Sequence, residues 1–109
     1  MQDWKSRLQG EFERAEAARA KGNESQARVC ARRAAGIAIR EYLEQRGETV
    51  RTSSAYDLLN WLIEDPLTTT ELKQAAFYLT MRVDEDFNLP VDVDLLAESR
   101  RLCDGLLSG

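Results

Sequence analysis

Arginine is concentrated on the polar side of one predicted helix, where clustered guanidinium groups could bind phosphate or an RNA backbone. The four side chains are Arg28, Arg32, Arg33 and Arg40. Ion pairing is the competing interpretation, because Glu24 lies four residues before Arg28 and this spacing brings opposite charges together on a helix. The net charge of −4 argues against sequence-specific recognition of nucleic acid. Arg28 and Arg32 are retained as candidate ligand-binding residues.

Tyr78 and Arg82 form a second candidate site. They are four residues apart, which is one turn of the predicted fourth helix. With Tyr56, Trp61 and Phe77 on facing helices, they would form an apolar pocket with a polar tip. The alternative is a core tyrosine whose hydroxyl is satisfied by a neighbouring group. Both interpretations stay open, so Tyr78 and Arg82 join the candidate ligand-binding residues.

An acidic segment before the last predicted helix resembles the start of a calcium-binding loop. Oxygen-bearing side chains occupy the first, third, fifth and ninth positions of that pattern, as Asp84, Asp86, Asn88 and Asp92. The sixth position, which needs glycine for a sharp turn, is Leu89, and the twelfth, which needs a bidentate glutamate, is Leu95. A solvated acidic loop is therefore favoured over a calcium site, and no metal is predicted.

The chain contains no histidine. Histidine general-base chemistry, Ser-His-Asp hydrolysis and zinc sites that need imidazole are therefore excluded. The two cysteines, Cys30 and Cys103, fall on apolar stripes of predicted helices, which favours buried free thiols over a disulfide or a catalytic thiolate. The sequence thus predicts no catalytic residue and no cofactor.

Length and charge set the broader organisation. At 109 residues with 43% hydrophobic residues, the chain is expected to form a single domain over residues 1–109. It has no signal peptide pattern and no apolar run of bilayer length, so a cytoplasmic location is expected. Residues 1–51 carry a net charge of +3 and residues 52–109 a net charge of −7. This asymmetry is compatible with self-association or with two unlike partners.

Helical periodicity dominates the chain. The first helix is predicted from about Asp3 to Lys21 and the second from Asn23 to Arg46, with Gly47 beyond its end. Alanines at steps of three and four form a stripe on the second helix, joined by Cys30, Ile37, Tyr42 and Leu43. The alanines are Ala27, Ala31, Ala34, Ala35 and Ala38. Such a stripe predicts that a neighbouring helix approaches closely.

Three shorter helices follow in the second half. Ser53 or Ser54 caps a third helix that ends before Pro66. Thr68 and Glu71 form a capping box for the fourth, with Leu67 and Leu72 as an apolar staple. Asp92 is the expected cap of the fifth. No segment alternates like a strand, so the predicted fold is all-α.

Several motifs resemble the HEPN family of helical domains found in prokaryotes and higher eukaryotes. Lys21-Gly22-Asn23-x3-Ala27 is similar to the family's first turn, and residues 31–42 to its second helix, rich in small residues. Ser53-Ser54-x3-Leu58-Leu59 is similar to the short third helix. Tyr78-x3-Arg82 matches a tyrosine and arginine that recur in members accompanying nucleotidyltransferases. A tetratricopeptide repeat is the alternative fold for the first turn, but no second repeat is present.

The resemblance implies an up-and-down four-helix bundle with an additional short helix, commonly dimeric. Catalytic HEPN members cleave RNA with an arginine followed after four to six residues by histidine. Here Arg82 is followed at that distance by Asn88, which cannot relay a proton near neutral pH. We therefore expect a non-catalytic dimerisation or protein-interaction module, whose partner is a second copy or another protein, such as a nucleotidyltransferase. The alternative is a nucleotide- or RNA-associated component of a toxin–antitoxin-like pair.

Overall fold

Five helices make up the regular structure of the residues that the structure describes. The computed structural model describes residues 3–82, 89 and 92–107. The helices are α1 (Trp4–Ala20), α2 (Glu24–Gln45), α3 (Ala55–Glu64), α4 (Thr70–Thr80) and α5 (Leu95–Leu107). No strand occurs among the residues described. The all-α prediction is confirmed, and so are the number and order of the helices.

The first three helices begin where their capping residues predict. The side chain of Asp3 accepts a hydrogen bond from Ser6 N at 2.8 Å. Asn23 Oδ1 accepts from Gln26 N at 3.1 Å, and Ser54 Oγ accepts from Asp57 N at 3.3 Å. Each bond satisfies one of the N–H groups that the first helical turn leaves without an intrahelical partner. At the other end of α2, Gly47 adopts a φ of +81°, a left-handed conformation that favours glycine after a helix.

The last two helices begin later than predicted. Thr69, not Thr68, caps α4, because its side chain accepts from Leu72 N at 3.3 Å. The change of one residue moves Leu67 out of the staple position, and Leu67 is 74% exposed. Asp94, not Asp92, caps α5, with Oδ1 accepting from Leu96 N at 3.0 Å and Ala97 N at 3.2 Å. In each case a second residue able to cap lies nearer the first turn.

The alanine stripe of α2 forms the centre of the core. All five of its alanines and Cys30 are fully buried, and α2 packs against α1, α3 and α5. On α5, Ser99 Oγ donates to the main-chain oxygen of Ala31 at 2.7 Å, so the two helices approach closely. Ile37 and Tyr42 are only half-buried, and Ile39 occupies the interior instead.

The remaining contacts close a ring of four helices. Helix α4 packs against α3 and α5, so the order of packing is α2, α3, α4, α5 and back to α2. Helix α1 packs against α2, to which it is joined by the turn at residues 21–23. Within the described ranges, no helix is both long and apolar enough to cross a bilayer.

Candidate functional site

Arg32 reaches from α2 to the end of α4. Its Nε donates to the main-chain oxygen of Leu79 at 2.9 Å, and Nη2 donates to that of Met81 at 2.6 Å. The last carbonyl groups of a helix lack intrahelical donors, so Arg32 supplies a C-terminal cap from another helix. Burial lowers the pKa of Arg32, as do the nearby charges of Arg28 and Arg82. The guanidinium nevertheless remains charged at neutral pH.

Two of the predicted site residues meet at an aromatic ring on α3. The Cζ atom of Arg32 lies 5.7 Å from the centre of the Tyr56 ring, and Cζ of Arg82 lies 4.8 Å from it. Both distances are within the range of a cation–π contact. Tyr56 and Arg32 are half-buried, whereas Arg82 is exposed. We call Tyr56, Arg32 and Arg82 the Tyr56 surface.

The prediction that Arg82 lies on α4 is wrong, because the helix ends at Thr80. Arg82 therefore lies beside Tyr56 on α3 instead of continuing one turn from Tyr78. The Tyr78 hydroxyl accepts a hydrogen bond from Gln74 Nε2 at 3.0 Å, and the ring contacts that of Phe77 with a centroid distance of 6.3 Å. Tyr78 is thus half-buried with its hydroxyl satisfied.

The four arginines of α2 separate into two groups. Arg28 lies close enough to Arg32 for its charge to affect the pKa of Arg32. Glu24, the partner predicted for Arg28, pairs with Arg19 at 2.6 Å. Arg33 and Arg40 line a different region, a groove bounded by α1, the middle of α2 and the start of α3.

This groove, which we call the Glu11 groove, has a volume of about 640 Å³. Four arginines and one glutamate supply its charges, and they are Arg7, Arg14, Arg33, Arg40 and Glu11. Gly36 lies where α2 passes α3, and a Cβ atom at that position would be 3.3 Å from the Ala55 Cβ. The glycine therefore permits the close approach of the two helices at this point.

Glu11 is the buried carboxylate of the groove, with 6% of the residue exposed. Its Oε1 accepts from Arg14 Nε at 3.1 Å and from Nη2 of the same guanidinium. Its Oε2 is buried and has no hydrogen-bond partner. An unsatisfied buried polar atom is uncommon in folded proteins and calls for an explanation. Among the described residues, Thr68 Oγ1 and Glu98 Oε2 share this property, but neither residue lines the groove.

Sequence analysis missed Glu11, although a signal was present. Leu8, Glu11, Phe12 and Ala15 follow the spacing i, i+3, i+4 and i+7, which defines one face of a helix. Phe12 and Ala15 are buried on that face. A carboxylate within such a stripe must be buried beside them, so the spacing alone could have identified it.

Other ion pairs join elements of the fold. Arg19 bridges Glu24 and Asp94, the latter at 2.9 Å. Arg46 pairs with Asp65 at 3.1 Å. Asp65 also accepts from Leu67 N at 3.1 Å, and this N–H group and Arg46 lower the pKa of the Asp65 carboxyl.

Neither cysteine forms a disulfide, and both are buried free thiols, as predicted. Burial raises the pKa of Cys103 to about 12. Asp84, Asp86 and Asn88 of the calcium-like pattern lie outside the described residues. In the part of the chain that the structure does describe, no group of three acidic or cysteine side chains could hold a metal ion.

Comparison with known proteins gives no relative: no family model matches the chain, and no curated protein or solved structure is significantly similar to it.

Proposed function

We propose that this chain is a non-catalytic, HEPN-like helical bundle that acts as a protein-interaction module in the cytoplasm. Its partner is a second copy of the chain or another protein, for which a nucleotidyltransferase is the candidate. In this proposal the ring of α2, α3, α4 and α5 is an up-and-down bundle, and α1 extends it. The order in which these helices pack supports that arrangement.

The Tyr56 surface is the observation that carries the proposal. Tyrosine and arginine are the residue types most enriched among those that dominate binding energy at protein interfaces. Arg32 is already held by two main-chain carbonyl groups, so it loses little conformational entropy when a partner binds. Arg82 is exposed beside it, and both cations favour an acidic partner surface.

The charge distribution supports a second copy as that partner. Residues 52–109 carry a net charge of −7, and residues 1–51 carry a net charge of +3. A positive surface of one copy could therefore bind a negative surface of another. The absence of histidine supports a binding role, because the chain lacks the group that most often performs proton transfer at neutral pH.

Light scattering after size exclusion tests the proposal. We expect a dimer whose mass does not depend on added nucleotide or divalent metal, and we expect Arg82→Glu to convert it to a monomer. Arg101→Glu is the matched control, since Arg101 is an exposed arginine of α5 outside the Tyr56 surface, and it should leave the dimer intact. A wild-type protein that stays monomeric at every concentration would contradict self-association.

A second candidate function is a nucleotide- or RNA-associated component of a HEPN and nucleotidyltransferase pair. The proximity of Arg32 and Arg82 at the Tyr56 ring favours it, because two neighbouring positive charges attract phosphate. Thermal stabilisation by ATP that Arg82→Ala abolishes would support this candidate over the first. An RNA-cleavage assay should be negative in either case.

A further inference from the structure

The Glu11 groove contains both positively charged groups and a carboxylate, so a ligand that matches it would carry an anionic group and a hydrogen-bond donor. Its rim carries several guanidinium groups, and its buried carboxylate keeps one oxygen without a donor. We propose that the groove binds a small phosphate monoester that also carries a hydroxyl or amino group. This proposal goes beyond the interaction module described above, because it concerns a different surface and a different kind of partner.

The arginines determine the anionic part of the ligand. Within the described residues, no acidic side chain forms an ion pair with Arg7 or Arg33. Arg40 is anchored to the groove wall, because it donates to the main-chain oxygen of Thr52. Glu11 offsets one of the four positive charges, which leaves an excess of three. A phosphate monoester carries nearly two negative charges at neutral pH and offers three acceptor oxygens, so it suits this excess better than a single carboxylate.

Glu11 determines the second part of the ligand. An ionised carboxylate only accepts hydrogen bonds, so its Oε2 atom requires an O–H or N–H donor. Arg14 pairs with Oε1 and is 59% exposed, so it does not fill the groove. Less than 1 Å² of Oε2 is exposed, so the carboxylate has to turn toward the groove before a donor on the ligand reaches it. Such a donor would remove the energetic cost of the unsatisfied oxygen.

The size of the groove limits the ligand to a small molecule. Sites for such ligands span roughly 300 to 1,000 Å³, and this groove measures about 640 Å³. Both a sugar phosphate and a nucleoside monophosphate combine a phosphate monoester with the required donor, and they are the two sources that the experiment separates.

Isothermal titration calorimetry at pH 8 provides the test. Three probes are compared: ribose 5-phosphate, adenosine monophosphate, and methyl phosphate, which has the anion but no donor at that pH. The variants are Arg33→Ala for the phosphate contact and Glu11→Met for the donor contact. Arg101→Ala is the matched control outside the groove, since Arg101 is exposed on α5, and circular dichroism verifies that each variant is folded.

In the wild type we expect at least one of the two donor-bearing probes to bind at least tenfold more tightly than methyl phosphate. Glu11→Met should abolish that difference without weakening methyl phosphate binding, because the substitution removes a negative charge from the groove, whereas Arg33→Ala should weaken binding of all three probes. The tighter of the two donor-bearing probes identifies the source. Equal affinity for the three probes, no binding of any of them, or a loss in Arg101→Ala as large as in Arg33→Ala would overturn the proposal. None of these results depends on the oligomeric state, so the two proposals fail separately.

Discussion

Arg32 and Glu11 are charged residues of neighbouring helices, but their side chains differ in how fully their hydrogen-bonding groups have partners. Arg32 donates to two main-chain carbonyl groups at the end of α4. Glu11 is more deeply buried, but one of its two oxygens has no donor. A buried polar group that is fully paired stabilises the fold, whereas one left unpaired lowers stability. We infer that the two hydrogen bonds of Arg32 stabilise the fold, whereas the unpaired oxygen of Glu11 lowers stability and is explained by ligand binding.

The largest effect expected from this comparison is at Arg32. Replacing it with methionine leaves two carbonyl groups without donors, so Arg32→Met should lower the free energy of unfolding by about 2 to 3 kcal/mol. Arg33→Met is the control, because Arg33 is exposed, and its effect should stay within about 0.5 kcal/mol. Urea denaturation measures both. Equal losses in the free energy of unfolding for the two variants would show that the hydrogen bonds of Arg32 stabilise the fold no more than an exposed arginine does.

Glu11 should respond in the opposite direction. Glu11→Met removes the unsatisfied buried oxygen, and the Arg14 guanidinium that loses its partner is largely exposed to water. We expect the free energy of unfolding to rise by about 1 kcal/mol, measured by the same denaturation. Glu13→Met replaces an exposed glutamate two residues away and should have little effect. A clear loss of stability in Glu11→Met would indicate that the carboxylate is structural.

Asp65 is a buried carboxylate whose two oxygens both accept hydrogen bonds. Replacing it is expected to have a smaller effect on stability. Its pKa is lowered from the ordinary value of 3.8 by Leu67 N–H and Arg46. A lowered pKa means that the ionised group stabilises the folded state above that value and loses this contribution as the pH falls through its folded pKa. Asp65→Asn should therefore lower the melting temperature at neutral pH.

The difference in melting temperature between Asp65→Asn and the wild type should narrow as the pH falls below 3.8. Thermal denaturation from pH 7 to pH 2 measures it. A difference that is constant over this range would show that the charge of Asp65 contributes nothing. Glu64→Gln, at an exposed neighbouring position, controls for the general effect of acid on the protein.

Local patterns were sufficient to predict the helices but not their side-chain partners. Asn23 lies immediately before the alanine stripe, and both its cap and the stripe depend on spacings of a few residues, so both were predictable. Thr68 and Thr69, or Asp92 and Asp94, offered alternative caps within two residues, and spacing cannot choose between them.

The bonds of Arg32 join residues 47 and 49 positions apart. A separation of that size depends on how the ring of helices brings the end of α4 within reach of Arg32, which no helical period encodes. The Tyr56 surface was unpredictable for the same reason, because it required α4 to end before Arg82. Glu11 differs from both, since its position within an apolar stripe was visible in the sequence.

The two buried cysteines have a practical consequence for measurements on this protein. Both thiols are buried, which keeps alkylating reagents from reaching them. At pH 8 the Cys103 thiol, with a pKa of about 12, is also almost entirely protonated, and the thiolate is the form that reacts with these reagents. A cysteine introduced at an exposed position such as Ser25 should therefore accept a fluorophore or spin label selectively. Distances between labels could then be measured in the otherwise native chain, without first removing its own cysteines.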